Sequence, residues 1–468
     1  MCMYDLIIKN GTVVSTHGVH KADIAINKDK IIAIGAEFKA KKVIDAKGML
    51  VLPGGIDVHT HMDLPFMSTV TADNFETGSI AAACGGTTSL VDFAMQPTGD
   101  SLQNTLLTWF EKAEGKSAID FSFHMGMTDI NEMFISEIKD ITKKGITSIK
   151  LFMAYDFACN DREILNILEA AKNEKILVMF HAENGEIINF LTKKYLSEGK
   201  YKPIYHKETH PSIAEEEAVG RAIALSQILN TPIYIVHLSC KGALDKIIDA
   251  RKEGLPVYTE TCPQYLLLNE DKYNNSFNEA SKFVCSPPLR GKTDSDALWN
   301  GLSSGEIQVI STDHCTFTTN QKKKGEKNFS KIPNGIGGVE TRVPLIYSEG
   351  VKKGRLSLQR FVEVVCTNPA RLFGMYPQKG VIDPGSDADI IIFDPKKEVT
   401  ITNRNLRENT DYTPYEGFKV TGYPLHVLLR GETIVKEGEF IGKKGTGKFV
   451  RRKPFQNIII TCFNYVSK

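Results

Sequence analysis

Two histidines, His59 and His61, end a short apolar stretch of the sequence, GGIDVHTH. Because alternate residues of a β-strand point to the same face, both imidazoles would point the same way and could bind one metal ion. An H-x-H pair alone is a weak signal, since paired strand histidines are more often surface residues. Here the stretch is otherwise apolar and follows Pro53-Gly54-Gly55, which disfavours a solvated face.

The same pattern recurs at three later places, where His181 ends ILVMFH, His237 ends PIYIVH and Asp313 ends IQVISTD. A single histidine of this kind is more often a hydrogen-bonded core residue than a ligand. Four histidines and one aspartate that all end apolar stretches are hard to attribute to chance. Imidazole and carboxylate are ligands that zinc accepts, so the pattern indicates a metal site at the carboxyl ends of several strands.

Lys150 lies inside the apolar segment SIKLFMAY. A buried ammonium beside two divalent cations would be repelled, and two close cations need a bridging anion. A lysine converted by carbon dioxide to a carbamate would supply an anionic head with two oxygens on a long stem. The alternative, a lysine whose stem covers apolar surface while its ammonium reaches water, stays open on the residues alone.

Eight short apolar stretches alternate with helix-length segments, which predicts an α/β fold. The polar residues at their ends favour a (β/α)8 TIM barrel, whose active sites lie at the carboxyl ends of the strands, over an open doubly wound sheet. Cap pairs predict helix starts at Asp73, Asn160 and Ser212. The eight predicted strands fall within residues 51–61, 88–95, 120–127, 148–153, 176–183, 232–239, 256–263 and 307–314.

Both ends of the chain consist of short alternating segments joined by turn residues, such as DLIIKNGTVV and HVLLRGETIVKEGEF, which predict strands. We therefore predict three parts. Residues 1–50 and 375–455 form a small composite β-sandwich domain, residues 51–374 form the barrel, and residues 456–468 form a C-terminal tail. The apolar residues 458–460 suggest that this tail docks on another surface.

Composition excludes several functional classes. The chain has 57 Lys and Arg against 56 Asp and Glu, a balance without the footprint of a nucleic-acid-binding protein. Two basic clusters, at residues 321–325 and 443–453, are expected to be solvated. No apolar stretch approaches the roughly 18 residues that span a bilayer, and the N-terminus lacks the pattern of a signal peptide. The nine cysteines are expected as reduced thiols in a cytoplasmic protein.

Seven motifs, in family order, together resemble the cyclic-amidase branch of the amidohydrolase superfamily, most nearly the dihydropyrimidinase and D-hydantoinase family. The resemblance runs from YDLI at residue 4 to GKFVRRKPF at 447–455 and covers nearly the whole chain. The motifs are GGIDVHTHMDLPF, GITSIKLFMAY, HAEN, YIVHLS, CSPPLR, STDH and IPNGIGGVETR.

The resemblance implies a barrel with a composite β-sandwich and two divalent metal ions, expected to be Zn²⁺. A carbamate formed from Lys150 and carbon dioxide would bridge the ions. The implied ligands are His59, His61 and Asp313 for the more buried ion, and His181 and His237 for the other.

For catalysis, the resemblance implies that the Tyr155 hydroxyl stabilises the oxyanion. Asp313 is expected to accept a proton from the attacking water and return it to the leaving ring nitrogen. Ser286 and Asn334 match positions whose backbone groups bind the ring imide. In this family tetramers are common, so a homotetramer is expected.

Apolar residues surround these positions, and no arginine follows the H-x-H pair, where dihydroorotases bind a substrate carboxylate. This favours a neutral ring with an apolar substituent, such as 5,6-dihydrouracil, dihydrothymine or a 5-substituted hydantoin, opened to an N-carbamoyl amino acid. The alternative for these residues is simple packing of the barrel mouth. The apolar residues are Met62, Leu64, Phe66, Phe152 and Phe157.

Two other functions stay open. Allantoinase is an alternative activity of the same class. The alternative outside enzymes is a metal-free scaffold, since dihydropyrimidinase-like cytoskeletal proteins share the fold but lack a full ligand set. All six implied ligands are present here, which favours an enzyme.

Overall fold

The computed structural model describes residues 3–16 and 18–457. At its centre, eight parallel strands pair with one another in chain order. The two ends of this sheet meet where the backbone N–H of His61 donates to the His314 carbonyl at 2.9 Å, so the sheet closes into a nearly complete barrel. The predicted TIM barrel is confirmed. Its strands are Gly55–Thr60, Thr87–Met95, Asp120–Gly126, Ser148–Phe152, Leu177–His181, Ile233–Ile235, Val257–Thr261 and Val309–Ile310.

Helices connect the strands and bury their apolar faces. The α-helices are Phe75–Cys84, Leu102–Ala113, Glu132–Lys143, Asp161–Glu174, Gly185–Ser197, Ile204–Thr209, Ser212–Leu229, Lys241–Lys252, Pro263–Leu267, Phe277–Ala280, Lys292–Ser304, Thr319–Lys322, Arg342–Ile346, Leu358–Val362 and Asn368–Leu372. Shorter 3₁₀ segments are Glu270–Asn274, Ser281–Phe283, Lys323–Gly325, Phe329–Lys331 and Asn403–Asn405, and the π-helical segments are Tyr347–Val351 and Glu363–Thr367.

The helix starts were only partly predicted. Asn160 caps its helix as expected, in a reciprocal pair with Glu163. The first helix is capped by Asn74 rather than Asp73, because the Asp73 carboxylate is engaged with the His314 ring. Ser212 is the first helical residue and makes no side-chain cap.

The two chain ends together build the β-sandwich, as predicted. The smaller sheet is N-terminal, whereas the larger sheet inserts the early strand Leu50–Pro53 between Thr12–Ser15 and the late strand Ile390–Thr400. The smaller sheet contains, in order, Lys30–Gly35, Asp23–Asn27, Tyr4–Lys9 and Ala40–Asp45. The larger sheet contains, in order, Glu439–Phe440, Glu432–Lys436, Lys419–Leu429, Ile390–Thr400, Leu50–Pro53, Thr12–Ser15 and Gly18–Lys21. A two-stranded hairpin pairs Pro65–Phe66 with Thr69–Val70.

The predicted strand at residues 51–61 is two strands in different sheets, one in the sandwich and one in the barrel. The break falls at Gly54, where a Cβ atom would lie 2.0 Å from the Thr88 hydroxyl. Only glycine fits at this junction, so the chain passes from sandwich to barrel there. The exact domain boundaries stay a prediction.

The prediction that both basic clusters are solvated is wrong for one basic residue in each. Lys322 is fully buried and Arg452 is 3% exposed. The Arg452 guanidinium donates to the hydroxyls of Ser122 and Ser148 at 3.0 and 2.9 Å, which fastens the end of the chain to the third and fourth barrel strands. Of the predicted tail, residues 458–468 lie outside the described part of the chain.

Two further findings bear on the composition arguments. The seven cysteines within the described residues are buried free thiols. Among the described helices, none is both long enough and apolar enough to cross a membrane.

Candidate active site

The barrel brings the six predicted metal ligands to the carboxyl ends of its strands. His59 lies in the first strand and His61 directly after it, whereas Lys150 lies within the fourth strand. The remaining three end or follow the fifth, sixth and eighth strands: His181, His237 and Asp313. All six residues are nine-tenths or more buried.

The first group of these residues surrounds one carboxylate oxygen. Asp313 Oδ1 lies 3.0 Å from His59 Nε2 and 3.2 Å from His61 Nε2. Lys150 Nζ lies 3.1 Å from the same His59 nitrogen. Imidazole, carboxylate and amine groups therefore converge on one small volume.

The second group lies beside the first. His181 Nδ1 is 2.9 Å from His237 Nε2, and the rings of His237 and His59 have centroids 5.4 Å apart. The other nitrogen of His181, Nε2, contacts the buried Glu183 carboxylate at 3.0 Å. The two groups thus form one continuous cluster.

Glu260 contacts histidines of the cluster and was missed by the sequence analysis. Its carboxylate contacts His59 Nδ1, accepts the Tyr234 hydroxyl at 2.9 Å and accepts the backbone N–H of His237 at 3.2 Å. The signal in the sequence was an acidic residue inside the apolar stretch 256–263, since such a residue needs a buried partner.

These contacts test whether the residues fit a metal. His59 Nδ1 contacts the Glu260 carboxylate, and its Nε2 faces both Asp313 Oδ1 and Lys150 Nζ. His181 is arranged in the same way, with Nε2–H toward Glu183 and Nδ1 toward His237. The Nδ1 atoms of His61 and His237 are buried and have no hydrogen-bond partner among the described residues, and an acid holds one ring nitrogen of His59 and of His181, as is typical of metal-ligating histidines. The donor set therefore fits divalent metal ions.

The electrostatics agree with this interpretation. Burial lowers the pKa of Lys150 to about 8, although Asp313 and Glu260 partly oppose the shift. Burial alone would raise the pKa of Asp313, but the adjacent His59 and His61 rings hold it well below its usual value. The site therefore disfavours an ammonium and favours a carboxylate.

Three of the predicted functional residues have strained backbones. Tyr155, His237 and Asp313 have φ angles of 74°, 39° and 52°, in the left-handed region that non-glycine residues rarely adopt. Such strain is concentrated at functional sites, where the surrounding structure holds a side chain in a particular direction.

A cavity of about 380 Å³ opens above the cluster. Four of the five predicted apolar residues line it. Met62 does not: it is fully buried, and its thioether packs against Gly78 of the first helix. Lys112 also lines the cavity, where its ammonium donates to the Asp63 carbonyl at 2.8 Å and covers the Trp109 ring. The apolar lining residues predicted from the sequence are Leu64, Phe66, Phe152 and Phe157.

The predicted polar substrate-binding residues also line this cavity. The Tyr155 ring lies 5.0 Å from the His181 ring, and burial together with Glu183 raises the pKa of Tyr155 well above its usual value, so the hydroxyl keeps its proton. The Asn334 amide donates to the Ser286 hydroxyl at 3.1 Å. A ligand in the cavity would meet both hydrogen-bonding groups and aromatic rings.

A parallel barrel that gathers imidazoles and a carboxylate at one end of its strands, beneath a cavity, defines the class of metal-dependent barrel hydrolases. The chain belongs to the amidohydrolase family, whose sequence pattern matches residues 50–434.

Individual relatives match over almost the full length. The chain is 46% identical over 455 residues to a D-hydantoinase from Geobacillus stearothermophilus, covering 96% of this chain and 97% of that protein. It is 44% identical over 456 residues to a D-hydantoinase from Ralstonia pickettii, covering 97% of this chain and all of that protein. The crystal structure of a dihydropyrimidinase from Brevibacillus agri has a TM-score of 0.95 and 46% identity, covering 96% of this chain and 99% of that one.

Proposed function

We propose that this protein hydrolyses the cyclic amide bond of 5,6-dihydropyrimidines, such as dihydrouracil and dihydrothymine, or of 5-substituted hydantoins, to give N-carbamoyl amino acids. The observation that carries the proposal is the convergence of six candidate metal ligands beneath a largely apolar cavity. The identity of 43–46% to proteins named D-hydantoinase or D-phenylhydantoinase supports the same class of substrate.

The site would hold two divalent ions, in our proposal Zn²⁺, with a carbamate on Lys150 between them. When bound, the ions supply the charge that lowers the pKa of a water and polarises an amide carbonyl. The lowered pKa of Lys150 is consistent with the carbamate, because only the neutral amine adds to carbon dioxide, with release of one proton. The proposed ligands are His59, His61 and Asp313 for one ion, and His181 and His237 for the other.

Asp313 is the proposed general base and acid. Its carboxylate lies at the cavity floor and holds no proton, because its pKa is depressed. It accepts a proton from the attacking water as the new C–O bond forms. It then donates that proton to the ring nitrogen as the C–N bond breaks, so one carboxylate serves both steps in sequence.

The side chains and backbone around the cavity orient the ring. Tyr155 keeps its hydroxyl proton and donates it as a hydrogen bond to the oxygen that gains negative charge. The segments at Ser286 and Asn334 present polar backbone groups to the imide. The aromatic wall of Phe152 and Phe157 favours an apolar substituent at the carbon opposite the imide.

A comparison of substrates with and without chelator tests the proposed function. Purified protein is assayed on dihydrouracil, 5-benzylhydantoin, allantoin and dihydroorotate, before and after treatment with a strong chelator. We expect hydrolysis of dihydrouracil or 5-benzylhydantoin, weaker turnover of the other two, and loss of activity on chelation that added Zn²⁺ restores. Turnover confined to allantoin would favour that alternative, and no turnover with any metal would favour the scaffold.

Metal analysis of Lys150→Ala tests the bridge separately. Wild-type protein is expected to bind about two equivalents of metal, whereas the variant should lose most of it, because the two ions would repel one another without an anion between them. Full metal occupancy in a folded Lys150→Ala protein would contradict the carbamate.

A homotetramer is the proposed assembly. Large apolar side chains exposed on the surface support an interface between subunits, among them Phe190, Ile213 and Ile228 at 68%, 58% and 77% exposure. Light scattering of the purified protein would give the mass directly.

A further inference from the structure

A buried lysine lies behind the cavity wall. Lys322 ends a short helix, Thr319–Lys322, and is fully buried although its neighbours in sequence are basic and polar. Its ammonium donates to three backbone carbonyls, those of Val284, Pro333 and Gly335, at 2.9, 2.7 and 2.7 Å. All three of its N–H groups are therefore used.

This ammonium is stabilised in an unusual way. Among the described residues no carboxylate pairs with Lys322; its surroundings are backbone dipoles, the face of Phe317, 5.5 Å away, and the thiols of Cys285 and Cys315. Burying a charge without a counter-ion is costly, so a neutral side chain would be expected here if packing alone were required. Lys322 therefore does more than fill space, because it directs three strong N–H donors at backbone carbonyl oxygens.

The three carbonyls belong to the two segments that form the polar wall of the cavity. Val284 lies two residues before Ser286, and Pro333 and Gly335 flank Asn334 on both sides. Within the wall, the backbone N–H of Gly335 also donates to the Val284 carbonyl at 2.9 Å. Lys322 therefore joins the two segments from behind, on the side away from the cavity.

We infer that Lys322 is a positioning residue for the substrate imide: its ammonium sets the spacing and orientation of the segments at Ser286 and Asn334. This inference rests on the proposed function, in which those two segments bind the imide. The positioning role also explains the presence of a charged donor here, because one group that binds three carbonyls fixes two chain segments at once. Lys322 itself touches neither substrate nor metal in this arrangement.

Substitution of Lys322 tests the inference through the split between KM and kcat. Lys322→Met keeps the length of the side chain but removes all three donors, and Lys322→Gln keeps two N–H groups. If the wall binds the imide in the ground state and the transition state alike, its loosening raises KM more than it lowers kcat. For dihydrouracil we expect KM to rise about tenfold in Lys322→Met and about threefold in Lys322→Gln, with kcat within about threefold of wild type.

Arg360→Met is the matched control. Arg360 is also a buried cation that donates to backbone carbonyls, those of Leu302 and Ile307, at 2.7 and 2.6 Å, but it does not line the cavity. Its replacement should lower the melting temperature and leave KM within about twofold. Metal content is measured in every variant and should not change.

The outcomes separate the two proposals. Wild-type protein that hydrolyses no cyclic imide overturns the proposed function. Active wild-type protein with an unchanged KM in folded Lys322→Met, or with the same KM change in Arg360→Met, overturns the positioning role alone. Failure of both Lys322 variants to fold, while Arg360→Met folds, also overturns it, because Lys322 would then be required by the fold rather than by the cavity wall.

Discussion

Within the described part of the chain, two buried clusters have the side chains of a metal site. One contains His59, His61 and Asp313, and the other contains Asp120, Asp387 and Asp389; in each, three potential ligand atoms lie within 4.8 Å of one another. The first lies at the carboxyl ends of the barrel strands beneath the cavity. The second joins the third barrel strand to the segment that leads into the C-terminal part of the sandwich.

The second cluster already contains its cations. The Lys379 ammonium lies 2.5, 2.9 and 2.6 Å from Asp120, Asp387 and Asp389. Arg430 also pairs with Asp120, and Lys30 pairs with Asp387 at 2.6 Å. Three carboxylates therefore face three protein cations, and the cluster joins two domains without needing an ion.

The first cluster has no such balance. His59 Nε2 and His61 Nε2 face Asp313 Oδ1, the Nδ1 atoms of His61 and His237 are buried without a hydrogen-bond partner among the described residues, and its lysine has a depressed pKa. Proximity of ligand-type residues therefore does not by itself define a metal site. What distinguishes the two is whether the protein's own donors and cations already satisfy the oxygen and nitrogen atoms.

The largest effect should come from Asp313→Asn. Loss of the general base and of a proposed metal ligand is expected to lower kcat for dihydrouracil by about 10⁴-fold. Asp387→Asn, in the second cluster, should leave kcat within about twofold, because that cluster lies outside the cavity. Steady-state kinetics and metal analysis of both variants measure these effects. Comparable losses of kcat in the two variants would mean that the two clusters do not differ in function.

The first cluster could be predicted because each of its residues has a local signal. His59, His181, His237 and Asp313 are polar residues that end apolar stretches, and the order of stretches and helices indicates the barrel that brings such ends together. Lys150 is conspicuous for a similar reason, as a charge inside an apolar segment. Periodicity within about ten residues was sufficient for these positions.

The remaining residues depend on partners far away in the sequence. Glu260 is 201 residues from His59, and the burial of Lys322 depends on carbonyls 11, 13 and 38 residues away. In the sequence Lys322 is one of three consecutive lysines, and a basic run is usually solvated. Met62 lies outside the cavity lining for the opposite reason. It is apolar and close to the H-x-H pair, but the chain turns its side chain toward a helix. Local patterns do not contain this information.

The second-largest effect should be on stability and should come from Lys379→Met. Removing the ammonium leaves three carboxylates close together in a buried place, which is expected to cost about 3–5 kcal/mol in the free energy of unfolding. Metal content and kcat of the folded fraction should match wild type. Denaturant unfolding measures the first, and loss of metal from folded Lys379→Met would show that the second cluster also takes part in metal binding.

A smaller effect is expected at the cavity wall, from Tyr155→Phe. Removing one donor to the developing oxyanion should lower kcat/KM by about 10²–10³-fold with metal retained. Tyr415→Phe is the control: this tyrosine is fully buried outside the cavity lining, and its hydroxyl has no partner among the described residues, so the same deletion should change kcat/KM less than twofold. Equal kinetics for wild type and Tyr155→Phe would exclude the oxyanion role.

The smallest effect is expected in the cavity for a substrate, which lies above the first cluster and has no counterpart at the second. The Phe157 ring stacks on Tyr155 at 5.5 Å and packs edge-on against Phe152 at 5.1 Å, so it would contact a substituent rather than the reacting amide. Phe157→Ala should therefore lower kcat/KM for 5-benzylhydantoin about tenfold while changing that for dihydrouracil less than threefold, since an apolar pocket discriminates by about 1–3 kcal/mol. Phe190→Ala removes an exposed ring and should leave the ratio of the two substrates unchanged. An equal loss for both substrates in Phe157→Ala would mean that this ring supports the site as a whole, and the preference for apolar substituents would need another origin.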